Sequence, residues 1–229
     1  MAKKIIKKRK LKIIPFMIIL FVVSFFVVLG YFFLQIRLKN IIIKNNEYLN
    51  DDYIIELAGI KNYPKFYSIN TKKVKKNVLD SVYVRDVKVS GEFFHTLVIS
   101  VLENKPLYID NSTKEIVFEN KEKIIVEQNN YSFRIPRLMN YVPDDKYDSF
   151  IKGLNKVDNH ILEEISDIEY QPTELDKDRF LLYMDDGNMV YITLTKFDVI
   201  NYYNDVLSQV EDHKGILYLD SGNHFEIRE

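Results

Sequence analysis

The sequence predicts an α+β protein: an N-terminal transmembrane helix, a small β-α-α-β-β module, then a second module of mixed sheet and helices. Three observations carry that reading. Residues 13–34 form an apolar run of 22 residues without a charge. Residues 38–103 order their local patterns as strand, helix, helix, strand, strand. From residue 109 onward, short runs of strand character are interspersed with two segments at helical spacing.

The apolar run IIPFMIILFVVSFFVVLGYFFL would extend roughly 33 Å as a helix, which matches a hydrocarbon core of about 30 Å. Pro15 falls in the first turn, where a missing N–H costs little, and Tyr31 lies where an interfacial aromatic belt is expected. Lys3, Lys4, Lys7, Lys8, Arg9, Lys10 and Lys12 precede the run, and only Arg37 and Lys39 follow it closely. By the positive-inside rule, residues 1–12 are a cytoplasmic basic tail and Ile13 to Ile36 the transmembrane segment, with the remainder outside. A cleaved signal peptide would have a shorter apolar region ending in small residues. Here no Ala occurs between Ala2 and Ala58.

The net charge of −1 conceals a partition: residues 1–39 carry +9 and residues 40–229 carry −10. An acidic body disfavours nucleic acid as its partner, because phosphate recognition needs clustered Lys and Arg. The run Lys72, Lys73, Lys75 and Lys76 reads as a solvated helix face. The absence of Cys excludes disulfide scaffolds, thiolate-held metals and thiol nucleophiles. The four histidines, His95, His160, His213 and His224, include no i, i+4 pair, and neither HExxH nor GxSxG occurs. No cofactor and no metal are expected. The acidic pairs Asp51-Asp52, Asp144-Asp145, Glu163-Glu164 and Asp185-Asp186 suit turns and helix starts.

In the first module, Leu38–Lys44 reads as a strand and Asn45-Asn46 as a turn. Asn50 caps a helix over Asp51–Ala58 that stops at Gly59. Ser68 or Asn70 caps a second helix, Thr71–Leu79, with Val74, Val78 and Leu79 on one face. Tyr83–Ser90 and Thr96–Glu103 alternate as strands about the turn at Gly91-Glu92. In the second module, strands are expected at Glu115–Glu119, Lys123–Val126 and Ser132–Pro136, with a helix over Tyr147–Val157. Phe180–Met184 and Met189–Leu194 flank Asp185-Asp186-Gly187-Asn188, a hairpin signal. A helix over Lys196–Val210 uses Phe197, Ile200, Tyr203, Val206, Leu207 and Val210. Gly215–Asp220 is expected as the final strand.

This order behind one basic-flanked anchor resembles the FtsQ/DivIB bacterial cell-division family. The matching segments are Ile41-Ile42-Ile43-Lys44-Asn45-Asn46, Ile54–Ile60, Phe66–Asn70, Val82–Val89 and Leu97–Glu103-Asn104-Lys105-Pro106. The resemblance implies a POTRA domain over residues 37–108 and an FtsQ/DivIB-like β-domain over residues 109–229. Three departures show. Phe93-Phe94-His95 stands where the family's last turn carries Pro, the basic residue after Glu103 is displaced to Lys105, and the usual Asp-Leu-Arg-like ending is Asp220-Ser221.

What the resemblance implies is a non-enzymatic, single-pass division scaffold at the septum. Its expected partners are FtsL-like and FtsB/DivIC-like bitopic proteins and a septal peptidoglycan synthase. The alternative is a membrane-tethered enzyme acting on peptidoglycan. A translocation component would need several POTRA repeats and a barrel of tandem strands. A sheet that closes with the chain's last strand exposes an edge, and an exposed edge can receive another chain's strand. The expected partner-binding residues are Ile216, Tyr218, Leu219, Asp220, Ser221, Gly222, His224, Phe225 and Ile227. Tyr218 and Leu219 suit core packing equally well. For the pairs Phe66/Tyr67 and Phe93/Phe94, core packing is the expectation over partner contact.

Overall fold

The computed structural model describes residues 13–93, 95–126, 133–210 and 213–228. The first element is α1 (Ile13–Leu34), long and apolar enough to cross a membrane and without a buried residue along its length. The chain then builds β1 (Asn40–Lys44), α2 (Asp51–Leu57), α3 (Thr71–Leu79), β2 (Val84–Glu92) and β3 (Thr96–Glu103). These strands form a sheet in the order β1-β3-β2, β1 parallel and β2 antiparallel to β3. The expected α+β class and the β-α-α-β-β order are borne out.

Local chemistry explains these boundaries. The Asn50 side chain accepts from the Tyr53 N–H at 2.8 Å, and Asn70 accepts from Lys72 and Lys73 N–H. Each cap satisfies donors that the first helical turn leaves orphaned. Asn45 (φ +62°) and Gly59 (φ +69°) take the left-handed conformations that turn and C-cap need. Ile54, Val74 and Val78 bury against Val87, Leu97, Ile99 and Val101 of the sheet. Of the lysine run, Lys75 pairs with Asp86 at 3.2 Å, and all four side chains are exposed.

The second sheet starts at Pro106, inside the range the sequence assigned to the first module. Its elements are β4 (Pro106–Asp110), β5 (Glu115–Phe118), β6 (Lys123–Ile125), β7 (Arg137–Leu138), α4 (Asp144–Asn155), α5 (Asn159–Glu164), β8 (Ile165–Tyr170), β9 (Arg179–Met184) and β10 (Met189–Thr193). A 3-10 helix over Leu194–Tyr202 runs into α6 (Tyr203–Leu207), and β11 (Gly215–Tyr218) and β12 (His224–Ile227) end the described chain. The strand order is β12-β11-β10-β9-β8-β7-β4-β5-β6. One face is covered by α4, α5 and the 3-10 segment, where Phe150 stacks on Phe180 at 5.0 Å and both rings meet Phe197 edge-on.

Several elements differ from expectation for identifiable reasons. The strand expected at 132–136 begins only at Arg137 within the described residues; Pro136 offers no N–H, and its C=O accepts from Ile109 N–H at 2.8 Å. The helix expected over 196–210 is 3-10 as far as Tyr202 and α-helical only over Tyr203–Leu207. Its buried residues Phe197, Ile200 and Tyr203 recur every three residues, the repeat that aligns side chains on a 3-10 helix. β4, α5 and β8 were not anticipated. β12 follows the strand expected to be last.

The two sheets are joined by Glu103-Asn104-Lys105-Pro106. The Glu103 carboxylate accepts from the N–H groups of Glu47, Tyr48 and Leu49 at 3.2, 2.8 and 3.2 Å. Burial pushes this carboxyl up, partly offset by the three donors. Asn104 donates its side-chain amide to Val82 C=O and its backbone N–H to Tyr83 C=O. Lys105 Nζ donates to Val157 C=O, across to the second module. Around this joint Tyr83 of the first module meets Phe118 edge-on at 5.7 Å, and Ile116 and Phe118 of β5 complete the first module's core.

Replacing Glu103 with Ala would leave three loop N–H groups without their acceptor. A loss of about 1–3 kcal/mol is expected, read as a lower melting temperature of the purified chain in detergent, with α1 helicity unchanged.

Candidate partner-binding edge

The site is built outward from β9. β9 and β10 pair antiparallel across Asp185–Asn188, with Leu182 opposite Val190 and Phe180 opposite Ile192. The chain then crosses over through the 3-10 helix and α6, so β11 returns parallel to β10, with Leu217 opposite Val190. A parallel neighbour requires such a crossover. β12 then folds back antiparallel on β11, pairing His224 with Tyr218 and Phe225 with Leu217.

A buried polar cluster fixes where β11 starts. Asn188, 1% exposed, donates to Asp186 Oδ2 (2.8 Å) and Tyr203 OH (3.0 Å). Its Oδ1 accepts from Gly215 N–H at 2.8 Å. Tyr203 OH in turn donates to Asp186 at 2.8 Å, and burial drives the Tyr203 hydroxyl's pKa up. Every polar atom of the Asn188 amide group therefore has a partner, as burial demands. Space alone requires that residue 215 be glycine. A Cβ there would lie 2.1 Å from Glu226 O and 2.7 Å from the Phe225 ring.

The far end of β11 is held by charge. Arg179 Nε bonds Asp220 Oδ2 at 2.8 Å, with side chains only 16% and 9% exposed, and the guanidinium lies 3.6 Å over the Tyr191 ring. Tyr191 stacks on Tyr218 at 5.4 Å, and Tyr218 stacks on His224 at 4.8 Å. A row of one cation and three rings thus crosses β9, β10, β11 and β12 on the face opposite the helices. Cross-strand stacks of this kind stabilise register.

The sequence-predicted residues divide accordingly. The strand Ile216–Asp220 is not the edge, because β12 covers it; the alternation His224-Phe225-Glu226-Ile227 carries the signal for that extra strand. Ile216 is buried, and Leu219 belongs to the core. Asp220 is occupied by Arg179 and by the Ser221 hydroxyl, which donates to its other oxygen at 3.0 Å. Ser221, Gly222 (φ +103°) and Asn223 (φ +55°) form the turn, and Lys196 Nζ ties that turn down through Leu219 C=O. Phe225 packs against the core. His224 and Ile227 are exposed. Arg179, Tyr191, Asn188 and Gly215 were not anticipated as contributors to the edge.

β12 and β6 are the outermost strands of the nine-stranded sheet. The Arg228 N–H donates to Lys214 C=O at 2.8 Å. Antiparallel pairing alternates, so His224, Glu226 and Arg228 bond toward β11, while the main-chain groups of Phe225 and Ile227 point outward. On that side no strand lies among the described residues.

Residues 36–104 match the family described as "POTRA domain, FtsQ-type", so the first module is a POTRA domain of that type. The likeness to the FtsQ/DivIB proteins is borne out over about three quarters of the chain. It is 27% identical over 176 residues to "Cell division protein DivIB" of Brevibacillus brevis, covering 73% of this chain and 66% of the relative. It is 27% identical over 179 residues to the protein of that name from Bacillus subtilis, covering 76% and 67%. The chain thus spans about two thirds of the length of these relatives. A solved structure of the major extracytoplasmic domain of DivIB from Geobacillus stearothermophilus overlaps 48% of this chain and 96% of its own, with TM-score 0.38 and 20% identity.

Gly215→Ala is expected to detach β12 while leaving the helix-covered core folded. Amide hydrogen exchange should then rise at His224, Glu226 and Arg228 and stay unchanged at Phe180 and Leu182.

Proposed function

We propose that this protein is a single-pass, non-enzymatic scaffold of the cell-division machinery, at the septum. Its N-terminus is cytoplasmic and its two modules lie outside the membrane. It holds FtsL-like and FtsB/DivIC-like bitopic proteins together and helps to regulate a septal peptidoglycan synthase. The division role follows the name carried by its relatives. The topology follows the charge asymmetry about α1.

The observation that carries the partner-binding part is the outward main chain of β12. Phe225 and Ile227 each present an N–H and a C=O to an incoming strand. Backbone pairing supplies affinity, and the exposed His224 and Ile227 side chains supply selectivity. The opposite outer strand, β6, is a poorer receptor. It is three residues long and bears Lys123, paired with Glu115 at 3.4 Å, the kind of charge that blunts an edge.

Each strand hydrogen bond contributes about 1 kcal/mol net, so a short edge alone gives a weak complex. Confinement of both partners to one bilayer raises their effective concentration and makes weak pairing sufficient.

Ile227→Pro deletes one outward donor and no bond to β11, at an edge position that tolerates Pro. Affinity for FtsL- and DivIC-like ectodomains should fall about five- to tenfold, measured by interferometry on the detergent-solubilised chain. Equal affinity for wild type and Ile227→Pro would remove β12 as the docking strand. No binding by either would remove the scaffold reading.

A further inference from the structure

The opposite end of the molecule, where α1 enters the POTRA domain, carries apolar surface that edge pairing does not use. Phe93, at φ +49° in the β2–β3 turn, is 81% exposed, and Tyr63 (φ +48°) and Tyr67 are 43% and 39% exposed. Core packing was expected for Phe66, Tyr67, Phe93 and Phe94, the last of which lies outside the described residues. Of the other three only Phe66 packs, partly buried against the core.

These rings are held close to the end of α1. Only Gln35 separates Leu34 from Ile36, whose C=O accepts from Phe66 N–H at 2.9 Å. Two residues of extended chain reach at most about 7 Å. Leu38 N–H donates to Pro64 C=O at 2.9 Å, and Arg37 bridges Lys65. Lys39 and Asn40 N–H both donate to His95 C=O, which ties the β2–β3 turn to the same stretch. The Phe66 ring then lies against Gly91, where a Cβ would come within 2.7 Å of it. The Tyr67 ring meets Phe33 of α1 at 5.1 Å.

We propose that this end of the POTRA domain is a membrane-contact surface, seated in the phospholipid interface of the bilayer that α1 spans. Phe93, Tyr63 and Tyr67 enter the boundary between headgroups and acyl chains, where amphipathic and aromatic rings are favoured. Arg37, Lys39 and Lys65, all exposed, face lipid phosphates. Segments 35–40, 61–67 and 91–95 contain a single acid, Glu92, although residues 40–229 are acidic overall. The surface fixes the tilt of the domain on the bilayer, which a lone helix anchor would leave free.

This proposal rests on α1 spanning the membrane, and the test separates the two. The chain contains no Trp, so single replacements report without background. Phe93→Trp, Phe21→Trp in the middle of α1, and Leu175→Trp, at a fully exposed position of the second module, are each reconstituted full length. The vesicles are phosphatidylcholine–phosphatidylglycerol, with lipids brominated at shallow or deep acyl carbons. The expected result is a blue shift and strong quenching of Phe93→Trp by shallow bromines, quenching of Phe21→Trp by deep bromines, and neither effect on Leu175→Trp. If Phe93→Trp behaves like Leu175→Trp while Phe21→Trp is quenched, the contact surface is overturned and the anchor stands. If Phe21→Trp escapes quenching, both readings fall. Tyr63→Trp repeats the measurement from the second loop and should agree with Phe93→Trp.

Discussion

The accessible edge of this protein depends on one buried amide. Asn188 sits in the β9–β10 turn, yet its side chain receives the Gly215 N–H at the first residue of β11. Without that acceptor the N–H would be buried and unpaired, at a cost of about 1–3 kcal/mol. The amide is fixed in turn by Asp186 and Tyr203, so the turn, the crossover helix and the last hairpin share one polar cluster. A parallel strand placed by a crossover has no tight turn to set its register. Here the register is set by this cluster at one end and by the Arg179–Asp220 pair at the other.

Once β11 is fixed, β12 follows with little freedom. Phe225 fills a place against the core, His224 extends the row of rings begun at Tyr191, and Gly215 lets the two strands close up. All three contacts lie on the β11 side or on the sheet faces. None occupies the outward main chain. The fold therefore supports the strand from one side and, among the described residues, leaves the other unpaired; on the function proposed, such a preorganised strand would lose little entropy on pairing.

Much of this was legible in the sequence. Caps at Asn50 and Asn70, the stop at Gly59, the exact span of Thr96–Glu103 and the hairpin about Asp-Gly each have a local cause, and local causes can be read from local residues. The elements that were missed have non-local causes. β7 is two residues long and exists because Ile109 and Asp167 flank it. β8 follows α5 without a break. The 3-10 segment takes its form from the spacing of Phe197, Ile200 and Tyr203 against Phe150 and Phe180. At the edge, the tail residues named from the sequence fall into different places: core, turn and exposed strand. Asp220 looked available until Arg179, 41 residues away, was placed beside it.

The joint at Glu103–Pro106 gives these local arrangements a common frame. Glu103 fastens the β1–α2 loop, Lys105 reaches Val157, and Tyr83 packs on Phe118. These contacts link the POTRA sheet to the nine-stranded sheet by packed rings and by hydrogen bonds between side chains and main chain. On the function proposed, the joint carries the receptor edge above the bilayer at a position set by the POTRA domain. Its effective concentration toward a partner anchored in the same membrane then depends on how the body is seated, since a geometry that cannot span the partner's position forfeits the gain altogether. The two proposals, seating at the POTRA end and pairing at β12, therefore meet at the joint, although the two surfaces share no residue.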